Sequence, residues 1–413
     1  MSKPKLALIP SGYKSGKVYS ILPNDATGDF DFERQSIGTR VRKDGLIEEV
    51  TDNVPRLDWL NSNCPSLLLE PQRSNILKRS EQFDNATWSK NNSSINSNSI
   101  ISPNGTLTAD KFIEDNTTNT HRLNQIFFSA SNDTYTFSVF VKKNGRSNFH
   151  LSISDSATGQ ANILVDLDNG TFTNGVKPTG SWTNVSGGIE ELASGWYRVH
   201  VTGDKNAGSN IIADLELYNN ARNYTGDGIS GIYVWGAMLE QASYPTSYIK
   251  TEGSTVTRLK DECYGGGNAD LFNDNEGVLF LNMKSFVNGG TNRFIQIHDG
   301  SYNNAITLYF TSTTNRIVAR VWAGGSSVLT LNYTVDDVTQ YHKYAFKYKS
   351  GDYQLWVDGT KVLTNSLTTT PTGLNQIGFL QGTAGNDFFG KVKDLRYFDN
   401  GLTDAELTEL TTL

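Results

Sequence analysis

Asp214 and Glu216 stand one residue apart in the run IIADLELY. In an extended strand that spacing puts both carboxylates on one face. Glycoside hydrolysis needs two carboxylates flanking the scissile bond, one acting as acid and one as nucleophile or base. Glu190–Glu191 and Asp336–Asp337 are the other pairs. No neighbouring residue type argues for a raised carboxyl pKa, and the plain reading of Asp214 and Glu216 is a solvated strand face opposite Leu215 and Leu217. The signatures G-x-S-x-G, H-E-x-x-H, Walker A and G-x-G-x-x-G are missing. His121, His150, His200, His298 and His342 are scattered, with no pair at metal-ligand spacing. No residue is assigned a catalytic role, and the chain is read as a non-enzyme.

Sugar binding asks for different chemistry. An exposed aromatic ring packs on the apolar side of a pyranose while Asn, Asp and Gln bond its hydroxyls. Trp196 and Trp235 lie inside apolar runs and are expected in the core. Trp182, in the polar stretch GSWTN, is expected to be an exposed platform. Tyr218 and Tyr224 flank the loop NNARN and would line a rim. Trp322, before Ala323–Gly324–Gly325, is expected near a loop.

The elements that must position these residues are strands. Charged residues are sparse at 19%, aromatics reach 11%, and 38 glycines punctuate the chain, a balance that favours short strands and polar turns. In TYTFSVFVKK, Tyr135, Phe137, Val139 and Val141 share one face; in WYRVHVTG, Tyr197, Val199 and Val201 do. Thr403, with Glu406 three residues on, is a capping box for a short C-terminal helix. The expected fold is all-β: two antiparallel β-sandwich (jelly-roll) domains behind an extended N-terminal leader. The expected division is a leader over residues 1–80, a first sandwich over 81–262 and a second over 263–413, with Gly265–Gly267 as a linker.

The net charge of −7 is spread along the chain, which excludes clustered phosphate contacts and so argues against nucleic acid. Cys64 and Cys263 are too few for a disulfide framework or a cysteine zinc site. The N-terminus lacks an apolar core of signal-peptide length, and no run approaches a membrane span.

The leader carries a resemblance. IPSGYKSGKVYSILP, DFDFERQSIGTRVRKDGLIEEV, NVPRLDW and LLLEPQRSN resemble the front end of bacteriophage virion appendage proteins, the head fibres and tail fibres that carry lectin-like sandwiches. Phe32, Arg34, Thr39, Arg40, Val41, Gly45, Leu46, Ile47 and Glu48 follow the pattern; Gln35 stands where alanine is usual, and Arg42 departs from it. SEQFDNATWSK, SVFVKK, SGWYRVHV and IYVWGAMLEQASYPTSYIKT are similar to carbohydrate-binding jelly rolls. KYAFKYKSGDYQLWVDGTKV and the ending DLRYFDNGLT resemble concanavalin-like or laminin-G sandwiches.

The resemblance implies a virion protein made in the host cytoplasm. Its partners would be capsid or tail proteins, met through Tyr13, Tyr19, Arg34, Arg40 and Arg42. It would self-associate as a homo-trimer or homo-dimer and touch host-surface glycans weakly through many copies. Residue chemistry leaves another reading of the leader open, in which its arginines pair locally with Asp29, Asp31, Glu33 and Glu48. No cofactor is implied beyond a structural Ca²⁺, for which Asp84, Asp110, Asp227, Asp299 and Asp387 lie near turns. The competing classes are a depolymerase with accessory sandwiches and an architectural protein without ligand. On the attachment reading, deletion of residues 1–60 leaves both sandwiches soluble.

Overall fold

The computed structural model describes residues 2–128, 130–155, 159–174, 182–207, 210–382 and 385–413. Strand makes up 52% of the chain and helix 3%, so the protein is all-β, with antiparallel sheets forming sandwich-like folds. It divides into two compact units. One holds residues 1–37, 50–71 and 259–413; the other holds 38–49 and 72–258.

The unit of residues 38–49 and 72–258 is a pair of six-stranded antiparallel sheets. One runs in the order Ser89–Asn91, Arg122–Phe128, Asn210–Tyr218, Asn148–Ser154, Gln160–Asp166, Thr171–Asn174. The other runs Ser93–Ile101, Leu107–Glu114, Gly231–Glu240, Thr134–Asn144, Tyr197–Lys205, Trp182–Glu191. Period-two alternation builds the core between them. Tyr135, Phe137, Val139, Val141, Val199 and Val201 pack against Leu151, Ile163, Val165, Leu215 and Leu217. On the far side of the second sheet, Trp196, Trp235, Phe140 and Tyr248 form a smaller cluster that Ile47 helps to close. Thr39 Oγ1 donates to the Tyr248 carbonyl at 2.7 Å, and the Ile47 amide donates to the Pro103 carbonyl at 2.9 Å.

The other unit has an eight-stranded and a five-stranded sheet. The larger runs Thr360–Asn365, Tyr353–Val357, His342–Lys349, Glu276–Ser285, Gly390–Phe398, Ser66–Leu69, Arg56–Asp58, with Leu6–Leu8 also on Gly390–Phe398. The smaller runs Ser326–Thr334, Arg316–Ala323, Ala305–Phe310, Arg293–His298, Gln376–Gly378. The helix Asp404–Thr411 starts at a full capping box of Thr403 and Glu406, as its sequence predicts, and buries Leu407 and Leu410 beside Phe280 and Trp356.

The segment expected as an extended leader is shared between the two units, most of it built into the one that holds residues 259–413. Its apolar runs are strands: Leu6 pairs with Tyr397 and Leu67 with Val392. Leu6, Leu8, Val18, Phe30, Phe32, Leu57, Leu67 and Leu69 all belong to the core of the unit that ends at Leu413. The run Gly265–Gly267, expected as a linker, is packed inside that unit. Gly266 exchanges backbone hydrogen bonds with Ile377 at 3.0 and 2.8 Å. A Cβ on Gly266 would come within 2.7 Å of the Phe30 ring, so the glycine serves a close approach rather than a loose joint.

Charge fixes the same segments. Asp261 accepts from Arg34 Nη1 at 3.1 Å, from the Glu70 amide at 2.8 Å and from Arg56 Nη2, while Arg56 Nη1 donates to Glu70 at 2.5 Å. All four side chains are at most 3% exposed. Arg34, expected to meet a virion partner, is therefore enclosed within its own unit. The two cysteines are not joined; Cys64 is exposed and Cys263 buried.

Removing one partner of a buried ion pair strands the other charge. Asp261→Ala is expected to cost about 3–5 kcal/mol in urea unfolding, whereas Lys17→Ala, at the surface pair with Asp31, costs less than about 1 kcal/mol. Equal effects would contradict the assignment. Deletion of residues 1–37 exposes Leu6, Leu8, Val18, Phe30 and Phe32. The burial energy lost is on the order of the whole ~5–15 kcal/mol margin of a domain, so the truncated chain is expected to aggregate rather than yield two soluble sandwiches.

Candidate functional site

In the strand Asn210–Tyr218, Ile211, Ala213, Leu215 and Leu217 are fully buried in the core. Alternation therefore turns Asn210, Ile212, Asp214, Glu216 and Tyr218 to the opposite face of the sheet. The neighbouring strands follow suit, giving Leu123 and Phe127, then Phe149, Leu151 and Ile153, then Ala161, Ile163 and Val165 to the core. Register aligns what is left in rows. Arg122, Glu216, His150 and Leu164 make one; Asn124, Asp214, Ser152 and Asn162 the next; Ile126, Ile212, Ser154 and Gln160 the third.

The middle of this face is polar and closely packed. Asp214, Glu216, His150, Ser152, Asn162 and Asn124 are 2–7% exposed although they point away from the core. Arg122 Nε lies 3.3 and 3.2 Å from the two oxygens of Asp214, and its Nη2 donates to Oδ2 at 2.7 Å. Glu216 has Arg222 Nε 2.9 Å from Oε1 and Arg122 Nε 3.9 Å from Oε2; the Arg222 N–H is not aligned for a hydrogen bond. Burial pushes both carboxyls above their usual range, against the pull of Arg122 on Asp214 and of Arg222 on Glu216. The Tyr218 ring meets His150 edge-on at 5.2 Å. Burial, and then Arg222, lowers the His150 pKa to about 4, so its ring is neutral at pH 7.

Two features make this face a candidate for ligand binding. Asn162 Oδ1, Asn162 Nδ2 and His150 Nδ1 are buried without a partner among the described residues. Each such atom left unmet costs about 1–3 kcal/mol, a cost that water or a hydroxyl-rich ligand relieves. The third row then leads to apolar surface, with Ile126 41% and Phe128 69% exposed. Phe128 stands three strands and two rows from Asn162, at the far corner of the face; aromatic surface and fixed donors and acceptors are the chemistry of a sugar site. The paired carboxylates are each matched with a guanidinium, an arrangement that holds hydrogen-bonding groups in place.

Of the residues picked from sequence, Tyr218 lies on this face. Trp182 does not form the exposed platform expected of it. It is 1% exposed in the core, where Gly203 leaves room for its ring; a Cβ there would meet Ala161 at 2.8 Å and Trp182 at 3.1 Å. Tyr224 is not a rim residue either: it is 8% exposed and its hydroxyl donates to the buried Glu114 at 2.6 Å. Trp322 lies half-buried on the five-stranded sheet of the other unit. Tyr13 and Tyr19 are half-buried. Arg40 Nε donates to Glu48 at 2.7 Å, the local pairing that sequence left open, and exposed Arg42 pairs with Asp44. The sequence reading missed Phe128, Asn162, His150 and Arg122. Alternation in RLNQIFF was the available signal for Phe128; the others need the strand pairing.

Four of the five turn aspartates considered for calcium accept hydrogen bonds from the protein. Asp110 accepts from the amides of Phe83 and Asn98 at 3.1 and 2.9 Å, Asp227 from Ile229 at 2.8 Å and Asp299 from Ser301 at 2.9 Å. Asp387 takes Lys260 at 2.8 Å, and Asp84 is exposed. Among the described residues no three His, Cys, Asp or Glu side chains group as metal ligands.

Comparison with known proteins adds a match for part of the chain. Residues 279–408 match the model of the concanavalin A-like lectin/glucanases superfamily. No curated protein matches. Solved structures with local likeness include the CBM40 of the Ruminococcus gnavus IT-sialidase bound to α2,3-sialyllactose, at 17% identity and TM-score 0.31, over 36% of this chain and 93% of that one. Another is the NanB sialidase of Streptococcus pneumoniae, at 11% identity and TM-score 0.31, over 35% of this chain and 25% of that one. A third is domain 4 of AbnA, a GH43 extracellular arabinanase from Geobacillus stearothermophilus in complex with arabinotriose, at 12% identity and TM-score 0.30, over 40% and 81%.

The depressed His150 pKa has a sign. The unfolded chain binds a proton near 6.5 and the folded one only near 4, so the stability from a neutral His150 is full above pH 6.5 and is lost as pH falls toward 4. Asp110, raised to about 6 by burial, works the other way and is common to both proteins compared. The urea midpoint of His150→Gln is expected to fall less between pH 7 and pH 4.5 than that of the parent; an equal fall would count against a buried neutral ring.

Proposed function

We propose that this chain is a non-enzymatic structural component of a bacteriophage virion, of the head-fibre or tail-fibre type, that displays two sandwich units. On this reading the unit of residues 38–49 and 72–258 binds host-surface glycans on the face centred on Asn210–Tyr218. The observation that carries the glycan reading is the set of buried Asn162 and His150 side-chain atoms that have no hydrogen-bond partner among the described residues. The virion reading rests on the order and spacing of the motifs between Ile9 and Asn75.

The middle of the face is closely packed and most of its charges are already matched, so binding per copy is weak. Strength comes from copy number, which a symmetric trimer or dimer on a particle supplies. With Arg34 enclosed, the residues left to meet capsid or tail proteins are Tyr13, Tyr19, Arg40 and Arg42. Synthesis is in the host cytoplasm and the final location is the virion. Asp214 and Glu216 are read as holding the face in shape: with a guanidinium against each, neither is placed to release and regain a proton as a hydrolase requires.

Binding of the purified chain to immobilised host polysaccharide, read by biolayer interferometry, tests the glycan reading. Phe128→Ala and Asn162→Ala are each expected to weaken it about 10-fold or more, as loss of a ring contact or a paired amide should, the exposed Phe128→Ala with unchanged melting temperature. Binding by the parent that both variants retain would refute this face as the site, and new reducing ends in the polysaccharide would refute the non-enzyme reading. Mass spectrometry of purified particles is expected to find the chain in them.

A further inference from the structure

In the five-stranded sheet, Ile295, Ile297, Ile306, Leu308, Phe310, Ile317, Ala319 and Val321 face the core of their unit. The alternate residues make the opposite face. Register sets Phe294, Tyr309 and Val318 in one row, Gln296, Thr307, Arg320 and Thr330 in the next, and His298, Ala305 and Trp322 in a third. Phe294 and Tyr309 stack at 4.2 Å with 7° between their planes. The Arg320 guanidinium lies 5.0 Å from the Tyr309 ring centre and 6.0 Å from that of Trp322. Tyr302, 53% exposed, meets Trp322 edge-on at 6.0 Å.

No carboxylate lies within 4.0 Å of Arg320 among the described residues, and its Nε, like the indole Nε1 of Trp322, is buried without a hydrogen-bond partner. Contrast Arg122 and Arg222 of the other unit, each of which has a carboxylate. A guanidinium held between aromatic rings is fixed in plane and presents its N–H fork sideways, the geometry that grips a carboxylate with two parallel bonds. Beside it Gln296 and Thr307 are fully buried and engaged, with Gln296 Nε2 donating to Thr307 Oγ1 at 3.0 Å and its Oε1 accepting from the Gly382 amide at 2.7 Å, which leaves Trp322 and Tyr302 to offer aromatic surface for a ring's apolar side. The surrounding protein is net negative, so a polyanion such as nucleic acid is disfavoured while one carboxylate on an otherwise neutral ring is not.

We infer that this face is a second binding site, in which Arg320 pairs with the carboxylate of an acidic pyranose, a uronic-acid type residue of a surface polysaccharide, stacked on Trp322 and Tyr302. Arg320 sets specificity: it separates acidic from neutral sugars of the same shape. The site stands independently of the polar face around Asn162 and of the virion reading.

Methyl β-D-glucuronide and methyl β-D-glucoside differ only in the carboxylate, which makes them the probes. Titration of each into the full chain by ligand-observed NMR is expected to show the glucuronide bound about 10-fold tighter or more, the worth of one charge-assisted contact. The preference is expected to shrink as salt is raised from ~50 mM to ~500 mM. Arg320→Gln is expected to erase the preference and leave the glucoside unchanged, Arg320→Lys to keep part of it, and Trp322→Ala to weaken both sugars. Asn162→Ala is expected to leave the preference intact. Equal affinity for the two sugars, no binding of the glucuronide, or a preference that survives Arg320→Gln or is lost in Asn162→Ala overturns the inference. Should Arg320→Gln lower the melting temperature, Arg320→Lys, which keeps the charge without the fork, decides.

Discussion

Asp261 is shut away from water, with Arg34, Arg56 and the Glu70 amide closed around its carboxyl oxygens. The desolvation of such a group is worth several kcal/mol and falls on whichever partner is left alone. Burial works against Arg56 as well, yet Asp261 and Glu70 outweigh it and its pKa is raised above the ordinary arginine value. Arg34 goes further and donates to the carbonyls of Ser36, Thr51 and Val54, so irregular backbone is ordered by one side chain. The four charges come from stretches of chain near residues 34, 56, 70 and 261. Their meeting forces the first 71 residues and the last 155 to fold as one unit outside the inserted 38–49. The strands Leu6–Leu8 and Ser66–Leu69 then lie along Gly390–Phe398, and a sheet that the C-terminal sequence begins is finished by the N-terminal one.

With the sandwiches fixed in this way, function falls to what alternation leaves over. A strand that gives every second residue to a core must place the others on a second face. On the sheet of Asn210–Tyr218 those residues are carboxylates and guanidiniums matched to each other, with amide and imidazole atoms unmatched at the centre. On the sheet of Arg316–Ala323 they are aromatic rings around a guanidinium that has no carboxylate within 4.0 Å among the described residues. The first arrangement suits neutral hydroxyls; the second suits an anion. One architecture thus carries two surfaces of different electrostatic character, and neither asks for a metal or a reacting carboxyl.

How much of this was legible in the sequence depends on how far apart the deciding residues lie. The face containing Tyr135, Phe137, Val139 and Val141 follows from adjacent residues, and so does the Thr403–Glu406 cap. The leader's place could not be read, because the Asp261 partner of Arg34 lies 227 residues away, and an arginine looks the same in sequence whether it meets a capsid or an aspartate in its own fold. Trp182 misled for a related reason. Its polar neighbours in sequence are not its neighbours in space, and the space its ring fills is made by the absence of a side chain at Gly203. Asp214 and Glu216 were visible as a pair, but their arginines come from Arg122 on another strand and Arg222 in a loop. Tyr218 could be placed from its own strand; Tyr224 could not, since Glu114 claims its hydroxyl.

Hydrogen exchange read by mass spectrometry, on the full chain with and without saturating host polysaccharide, tests the glycan reading most directly. Slowed exchange is expected in peptides covering Asn148–Ser154, Gln160–Asp166 and Asn210–Tyr218, with the strands Ser93–Ile101 and Trp182–Glu191 of the opposite sheet unchanged. Slowed exchange confined to that opposite sheet, or none at saturation, would contradict it.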